Sequence, residues 1–405
     1  MPHPRRTRFL ALFAALALGT VALTLWVNRP APPRYTVTDL GVLPGYARIW
    51  AVAVNSRGDV VCSAGNAGNA GAGTERACVY RGGRLVDLGV PPGFTDSVAR
   101  GMNSRGEVTG YADLPASLQT SRYGRGKRSG FALPARATAT HHASLYSQGK
   151  MQDLGTLPGS TDSTGESIND QGEIAGYATS YTQSGTAHGH AFVYSHGRMT
   201  DLGVPPGCVE CGAQSISATG QVVGDCSMTS GLDRPFLYDS RTRKMTLLAL
   251  PAPYTHGRVS QVNDKGESIG QVSTADCTCH AALWRGGQMI DLKEPPGEAN
   301  GGGGGINNQG EAVGGCGVKN GPARAFLLFL WKHAPNISAL QRYPNAIPDH
   351  AFVYREGKMQ DLNTLIPKDA GWVLTDARGI NDRGQIVGNG EHNGQGRAFL
   401  LTPLR

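Results

Sequence analysis

The strongest constraint on this chain is that it repeats itself. "HAFVYSHGRMTDLG", residues 190–203, returns as "HAFVYREGKMQDLN", residues 350–363. Two markers recur along the chain. An Asp before Leu closes an apolar alternation at Asp39, Asp87, Asp153, Asp201, Asp291 and Asp361, with Thr246 in the slot in one degenerate copy. An Asn or Ser precedes a turn at Asn55, Asn103, Asn169, Ser217, Asn263, Asn307 and Asn381. The gap between markers is 16 residues in five copies, 17 in one and 20 in the last, which makes seven units. A fixed period of this length belongs to folds that stack one supersecondary unit on the next.

Each full unit holds four short runs of strand character, such as "HAFVY", "RMTDLG", "AQSIS" and "QVVGD" between residues 190 and 225. Turns of the "SHG", "NDQG" and "NDRG" kind join them in pairs. Asn and Asp tolerate left-handed backbone and Gly adopts it freely, so these are tight hairpins. Four strands per unit predict an all-β propeller of seven four-stranded blades over residues 35–405. The first unit begins at "YTVTDLG" without its leading strand, and the chain ends in "RAFLL" with no partner after it. Ala398–Leu401 should therefore pair with Val37–Leu40 and remove the open sheet edge. Residues 325–331, "AFLLFLW", are a candidate first strand of an incomplete eighth blade. A parallel β-solenoid is the alternative, although such coils use shorter repeats and do not close on their termini.

The tripeptide His190-Ala191-Phe192 recurs at residues 350–352 and weakens to "HAA" at His280 and "HAS" at His142. With the "MxDLGTLPG" and "INDxGxIxGYA" phrases it resembles the HAF-family extracellular repeat, over about residues 35–405. That resemblance implies an exported, propeller-like protein and carries no catalytic residue. Ser217, Pro235 and Thr246 depart from the pattern.

The net charge of +7 is misleading. Residues 1–30 carry four Arg and no acid, and residues 113–142 carry five bases against Asp113, which leaves −1 on the rest. A near-neutral body with two basic patches is not a nucleic-acid-binding footprint. Three Arg precede the 19 uncharged residues Phe9–Val27, which as a helix span roughly 28 Å. Residues 1–29 thus read as a hydrophobic helix, either a cleaved signal peptide or an uncleaved membrane anchor. A stiff linker, 30–34, follows, and the propeller is expected outside the cytoplasm.

Alternating antiparallel connections send the short turns to one face of the ring and the longer loops to the other. The decorated face is the expected binding face. Its basic insert supplies the candidate binding residues Arg122, Arg125, Lys127 and Arg128. The expected partner is an extracytoplasmic protein or glycan, the chain being a monomer. All eight cysteines, Cys62, Cys78, Cys208, Cys211, Cys226, Cys277, Cys279 and Cys316, are disulfide candidates, as an even count in an exported protein implies. Cys62–Cys78 would close 15 intervening residues, worth about 3 kcal/mol. Cys208 could pair with Cys211, or either could cross to a more distant cysteine. "CVEC" and "CTCH" with His280 also offer metal ligands, but disulfides are preferred.

The aromatic set Tyr80, Tyr146, Tyr194, Tyr238, Trp284 and Tyr354 reads as inter-blade packing. The recurring Asp reads as a turn acceptor, and the His before "AF" as an edge residue bonding a neighbouring blade. "GRGKRS" lacks phosphate-loop spacing, and "GGGGG", residues 301–305, is placed in a loop. No G-x-S-x-G or H-E-x-x-H occurs, so no catalytic residue, cofactor or metal is assigned. The expectation is a non-enzymatic binding scaffold. The alternative is a polysaccharide lyase or hydrolase with its site in the axial funnel.

Overall fold

A computed structural model describes residues 34–66, 75–115, 140–181, 187–294, 298–318 and 350–404. The hydrophobic N-terminal segment, the basic insert with its four candidate residues, and residues 325–331 lie outside these described residues. The chain opens with β1 (Tyr35–Asp39). Blade 1 is β2 (Arg48–Val54), β3 (Val60–Gly65), β4 (Glu75–Arg81) and β5 (Arg84–Asp87). Blade 2 is β6 (Asp96–Met102), β7 (Val108–Asp113), β8 (His141–Ser147) and β9 (Lys150–Asp153). Blade 3 is β10 (Asp162–Ile168), β11 (Ile174–Tyr181), β12 (Ala187–Ser195) and β13 (Arg198–Asp201). Blade 4 is β14 (Cys208–Ile216), β15 (Gln221–Met228), β16 (Asp233–Asp239) and β17 (Lys244–Leu247). Blade 5 is β18 (Tyr254–Val262), β19 (Ser268–Thr274), β20 (Cys279–Arg285) and β21 (Gln288–Asp291). Blade 6 is β22 (Glu298–Ile306), β23 (Ala312–Val318), β24 (His350–Arg355) and β25 (Lys358–Asp361). Blade 7 is β26 (Trp372–Ile380), β27 (Ile386–His392) and β28 (Gln395–Pro403), completed by β1.

Seven four-stranded antiparallel sheets therefore form the ring, and β1 zips onto β28 with Val37 opposite Leu401 and Asp39 opposite Phe399. The blade is offset by half a unit from the repeat as the sequence spells it. The "SIS" run is the innermost strand and the "DLG" run the outermost. The core is divided into seven slabs, one between each pair of neighbouring blades. The slab joining blades 7 and 1 packs Leu40, Ile49 and Val60 against Val387, Ala398 and Leu400. The recurring aromatics sit in these slabs, with Trp284 fully buried among Val223, Val259 and Val272.

The Asn marker does more than shape a hairpin. In each copy its Oδ1 accepts the backbone N–H groups two and four residues on, as at Asn381 from Arg383 and Gln385, both 3.0 Å. Its Nδ2 also donates to the carbonyl of the corresponding residue in the next blade. Asn55 reaches Asn103 O, Asn103 reaches Asn169 O, and Asn169 reaches Ser217 O. Asn263 reaches Asn307 O, Asn307 reaches Asn381 O, and Asn381 returns to Asn55 O at 2.8 Å. The result is a buried belt of amide bonds around the ring, broken only where Ser217 has no amide to donate.

The Asp marker is a turn acceptor. Asp39, Asp87, Asp153 and Asp201 each take the N–H of the glycine two residues on at 2.8 Å. Register corrects the degenerate copy. Leu247, not Thr246, stands opposite Phe236, where Asp201 stands opposite Phe192. The β16–β17 turn is two residues longer than its blade 3 counterpart, and with Leu247 in the slot the gap to Asn263 is 16 residues, as in the regular copies. The histidine before "AF" bonds within its own blade, to the outer-strand Asp, rather than to a neighbouring blade.

Two further placements differ from the sequence reading. Residues 301–305 are not a loop but lie inside β22, where added Cβ atoms would come within 2.2 Å of Ile269 and 2.3 Å of the Ala377 carbonyl. Close approach of the flanking blades requires glycine there. Cys208 and Cys211 likewise lie in inner strand β14.

Candidate functional site: the axial cavity

Every inner strand carries a β-bulge at the same place. The register shifts lie between Ala51 and Ala53, Ala99 and Gly101, Gly165 and Ser167, Ala213 and Ser215, Val259 and Gln261, Gly303 and Gly305, and Ala377 and Gly379. A bulge leaves one residue without a ladder partner and re-aims it. Here the extra residues are Val52, Arg100, Glu166, Gln214, Ser260, Gly304 and Arg378, and all seven line one cavity of about 510 Å³ on the ring axis. That volume is in the range of small-ligand sites.

Inner strands run from the decorated face toward the tight turns, so their order grades the cavity. Near the decorated mouth the wall holds Glu210, Asp225, Ser227, Asp233 and Arg258. Toward the opposite face the lining becomes apolar, with Met102, Ile168, Ile216 and Val262. At mid-depth Arg100 Nε lies 3.8 Å from Glu166 Oε2, and its guanidinium rests over the Tyr111 ring at 5.6 Å. Glu166 holds Arg100 firmly protonated. Burial pushes the Glu166 carboxyl up, and Arg100 only partly offsets this. Arg378 pairs with Asp376 on its own strand.

At the mouth Arg258 Nε donates to Asp233 Oδ2 at 3.0 Å. Ser227 Oγ donates to Asp233 Oδ1 at 3.0 Å and lies 3.4 Å from Glu210 Oε1. Asp225 accepts the Val259 N–H at 2.8 Å. Burial raises its pKa from 3.8 to about 7, the Val259 N–H and Arg258 opposing the rise and Asp233 adding to it. Other blades make the same inter-blade bond with neutral side chains. Ser63 accepts from Ala99 N at 3.0 Å, and Asn389 accepts from Ala51 N at 3.1 Å. The bond belongs to the frame, but the charge is peculiar to blade 4.

A stability prediction follows. Between the ordinary pKa of 3.8 and the folded value of about 7, the folded chain holds a proton that the unfolded chain has released. Wild-type stability is therefore lost as pH rises through that window and then levels off. Asp225→Asn keeps the acceptor for Val259. It should leave Tm unchanged near pH 4 and raise it progressively to pH 7–8. Thermal melts of both proteins across pH 4–8 check this; parallel curves would mean that Asp225 is ionised in the fold.

Of the sequence-stated cysteines, Cys211 and Cys226 are cross-strand neighbours joined by a disulfide, with Cα atoms 4.0 Å apart. Cys62 and Cys78 face one another in register, Sγ to Sγ 2.6 Å. They stand where blades 3, 4, 6 and 7 pair a glycine with a buried Phe. Cys208 lies against Met228 Sδ at 3.3 Å and not against Cys211. Cys277 lies in the turn before β20, Cys279 opens that strand, and Cys316 is buried in β23.

No family model matches the chain, so the HAF resemblance stands on the quoted motifs alone, and no curated protein matches it. Solved structures do. An acylaminoacyl peptidase of Pyrococcus horikoshii aligns at 8% identity and TM-score 0.45, over 77% of this chain and 44% of that one. TolB from Acinetobacter baumannii aligns at 10% and 0.41, over 88% and 63%. The β-propeller domain of the Trilobed protease from Pyrococcus furiosus aligns at 8% and 0.39, over 79% and 97%. The chain thus spans less than two thirds of the first two proteins.

Proposed function

We propose that the chain is an exported, non-enzymatic binding scaffold of HAF type that seats a polar ligand in its axial cavity. One observation carries the reading. Apart from blade 4, the blades agree where they tie the ring together, at the Asn belt and the Asp turns. They differ at the bulge residue, which is apolar, cationic, anionic, amide, hydroxyl or glycine in turn. A purely structural channel has no use for six different residue types at one aligned position. Three guanidiniums interleaved with carboxylates, amide and hydroxyl suit a ligand rich in hydroxyls or amides, a glycan or peptide segment. The apolar run Phe9–Val27 behind three Arg and the Cys211–Cys226 disulfide support export.

The mouth favours a second reading. Asp225, titrating near neutrality beside Arg258 and Asp233, has the setting of a general acid or base. A lyase or hydrolase would lose turnover in Asp225→Asn while still binding substrate.

The test is a glycan and peptide array probed with the full-length protein, its Gln214→Leu and Arg378→Gln variants, and a variant lacking residues 116–139. The axial reading expects the two point variants to weaken binding tenfold or more, about 1.4 kcal/mol, and the deletion to leave it intact. Binding that disappears with the deletion and survives both point changes would put the ligand on the basic insert instead.

A further inference from the structure

We propose a zinc-class divalent metal site on the decorated side of blade 6, separate from the axial seat, with Glu298, Cys316, His350 and Asp361 as its ligands. Each of the four strands contributes one residue. Cys316 pairs with His350, Asp361 pairs with Phe352 two residues along, and Glu298 pairs with Val318 two residues beyond Cys316. Residues opposite one another or two apart share a sheet face, so the register alone gathers all four on one side of the blade. The side chains then converge. His350 Nδ1 lies 3.1 Å from Glu298 Oε1 and 3.5 Å from Asp361 Oδ2, and Cys316 Sγ contacts Glu298 Oε2. One ligand atom from each of Glu298, His350 and Asp361 falls within 4.8 Å of the others. Nitrogen and oxygen ligands about 2.0–2.1 Å from a tetrahedral ion stand roughly 3.3 Å apart, close to these separations.

The other blades make the case specific. Blades 2 and 3 also pair a histidine with the outer-strand Asp, His142–Asp153 and His190–Asp201 at 3.1 Å, and there the pair is only framework. Opposite those histidines stand Ala112 and Ala178. Blade 6 replaces that alanine with a thiol and adds a carboxylate from its inner strand. Charge points the same way. Among the described residues the only ion-pair partner of Glu298 and Asp361 is His350, which is charged only when protonated. Their side chains are just 11% and 19% exposed. Asp361 Oδ1 already caps its turn through Asn363 N, which leaves Oδ2 for a ligand. Burial and the nearby carboxylates of Glu298, Glu294 and Asp361 keep the Cys316 thiol protonated. A divalent ion would reverse that, the proton leaving to solvent as the thiolate binds. Thiolate, imidazole and carboxylate together select a borderline cation such as Zn²⁺ over Ca²⁺ or Mg²⁺.

The test uses the full-length protein, reduced and stripped with a chelator, then titrated with Zn²⁺ by calorimetry and with Co²⁺ by absorption. One equivalent should bind, and the Co²⁺ form should show a thiolate charge-transfer band. H350A and E298Q should each weaken Zn²⁺ by more than the roughly 10–100-fold typical of losing an outer-shell partner. C316S should also abolish the band. H190A, and a C277S/C279S double variant, should change nothing. Near-UV circular dichroism before metal addition separates lost ligands from lost fold. No stoichiometric binding, binding indifferent to H350A and E298Q, or binding abolished by C277S/C279S would overturn the site. So would ligand variants that all unfold without metal, since the cluster would then be part of the frame.

Discussion

A chain that begins at Gly41 should not fold. Removing residues 35–40 takes away β1, and with it the fully buried Tyr35, the nearly buried Leu40 and the five-residue ladder to β28. Deleting a large buried side chain costs about 2–5 kcal/mol, and whole domains are stable by only about 5–15 kcal/mol. Two such losses, with the ladder, consume most or all of that margin. β28 also becomes an unpaired hydrophobic edge carrying Phe399 and Leu401, a template for aggregation. The expected outcome on gel filtration and thermal melting is aggregate with no cooperative transition, while a chain lacking residues 1–33 melts cooperatively. A monomer that begins at Gly41 and melts near the wild-type temperature would show that the ring does not need its clasp.

The next largest effect is expected at the amide belt. Asn381 is 6% exposed and its side chain makes four bonds. Its Oδ1 accepts from Arg383 N and Gln385 N, and its Nδ2 donates to Gln385 Oε1 and across the closure to Asn55 O. Alanine strands several buried partners at once, and a stranded buried polar group costs about 1–3 kcal/mol. Asn381→Ala should therefore lose about 2–4 kcal/mol, among the larger effects of a single change. The belt also predicts a gain. Ser217 accepts from Asn169 but cannot pass the bond on, and its i+4 residue, Gln221, matches Gln385 in the intact copy. Ser217→Asn should add about 0.5–1.5 kcal/mol, the usual net worth of one hydrogen bond. Urea melts of both variants check the pair. Two near-zero shifts would reduce the belt to geometry without energy.

The ring was legible because its period is written in apolar runs and turn residues, and its closure because the first unit lacks a strand that the last supplies. The Asp turns were legible for the same local reason, since a carboxylate two residues before a glycine caps that glycine's N–H. What stayed hidden depends on register across strands. An Asn in a tight turn looks alike whether or not its amide reaches the next blade. A run of five glycines looks like a loop until neighbouring strands are seen to press on it. The bulge residues resemble any others in their strands, yet a signal was available. Each stands three positions before the Asn or Ser marker, from Val52 ahead of Asn55 to Arg378 ahead of Asn381. Aligning the seven units there exposes the position whose chemistry changes. The blade 6 cluster was missed because its four residues lie up to 63 positions apart, and only the sheet register brings them together.

Amide hydrogen exchange on the full-length protein, read by mass spectrometry, tests the closed ring most directly. Peptides covering residues 35–40 should exchange as slowly as those covering β28 and the inner strand β26, and all three should open in one cooperative step. Exchange of residues 35–40 at the rate of an unstructured peptide, beside protected blades, would mean an open ring and an axis that does not exist as described.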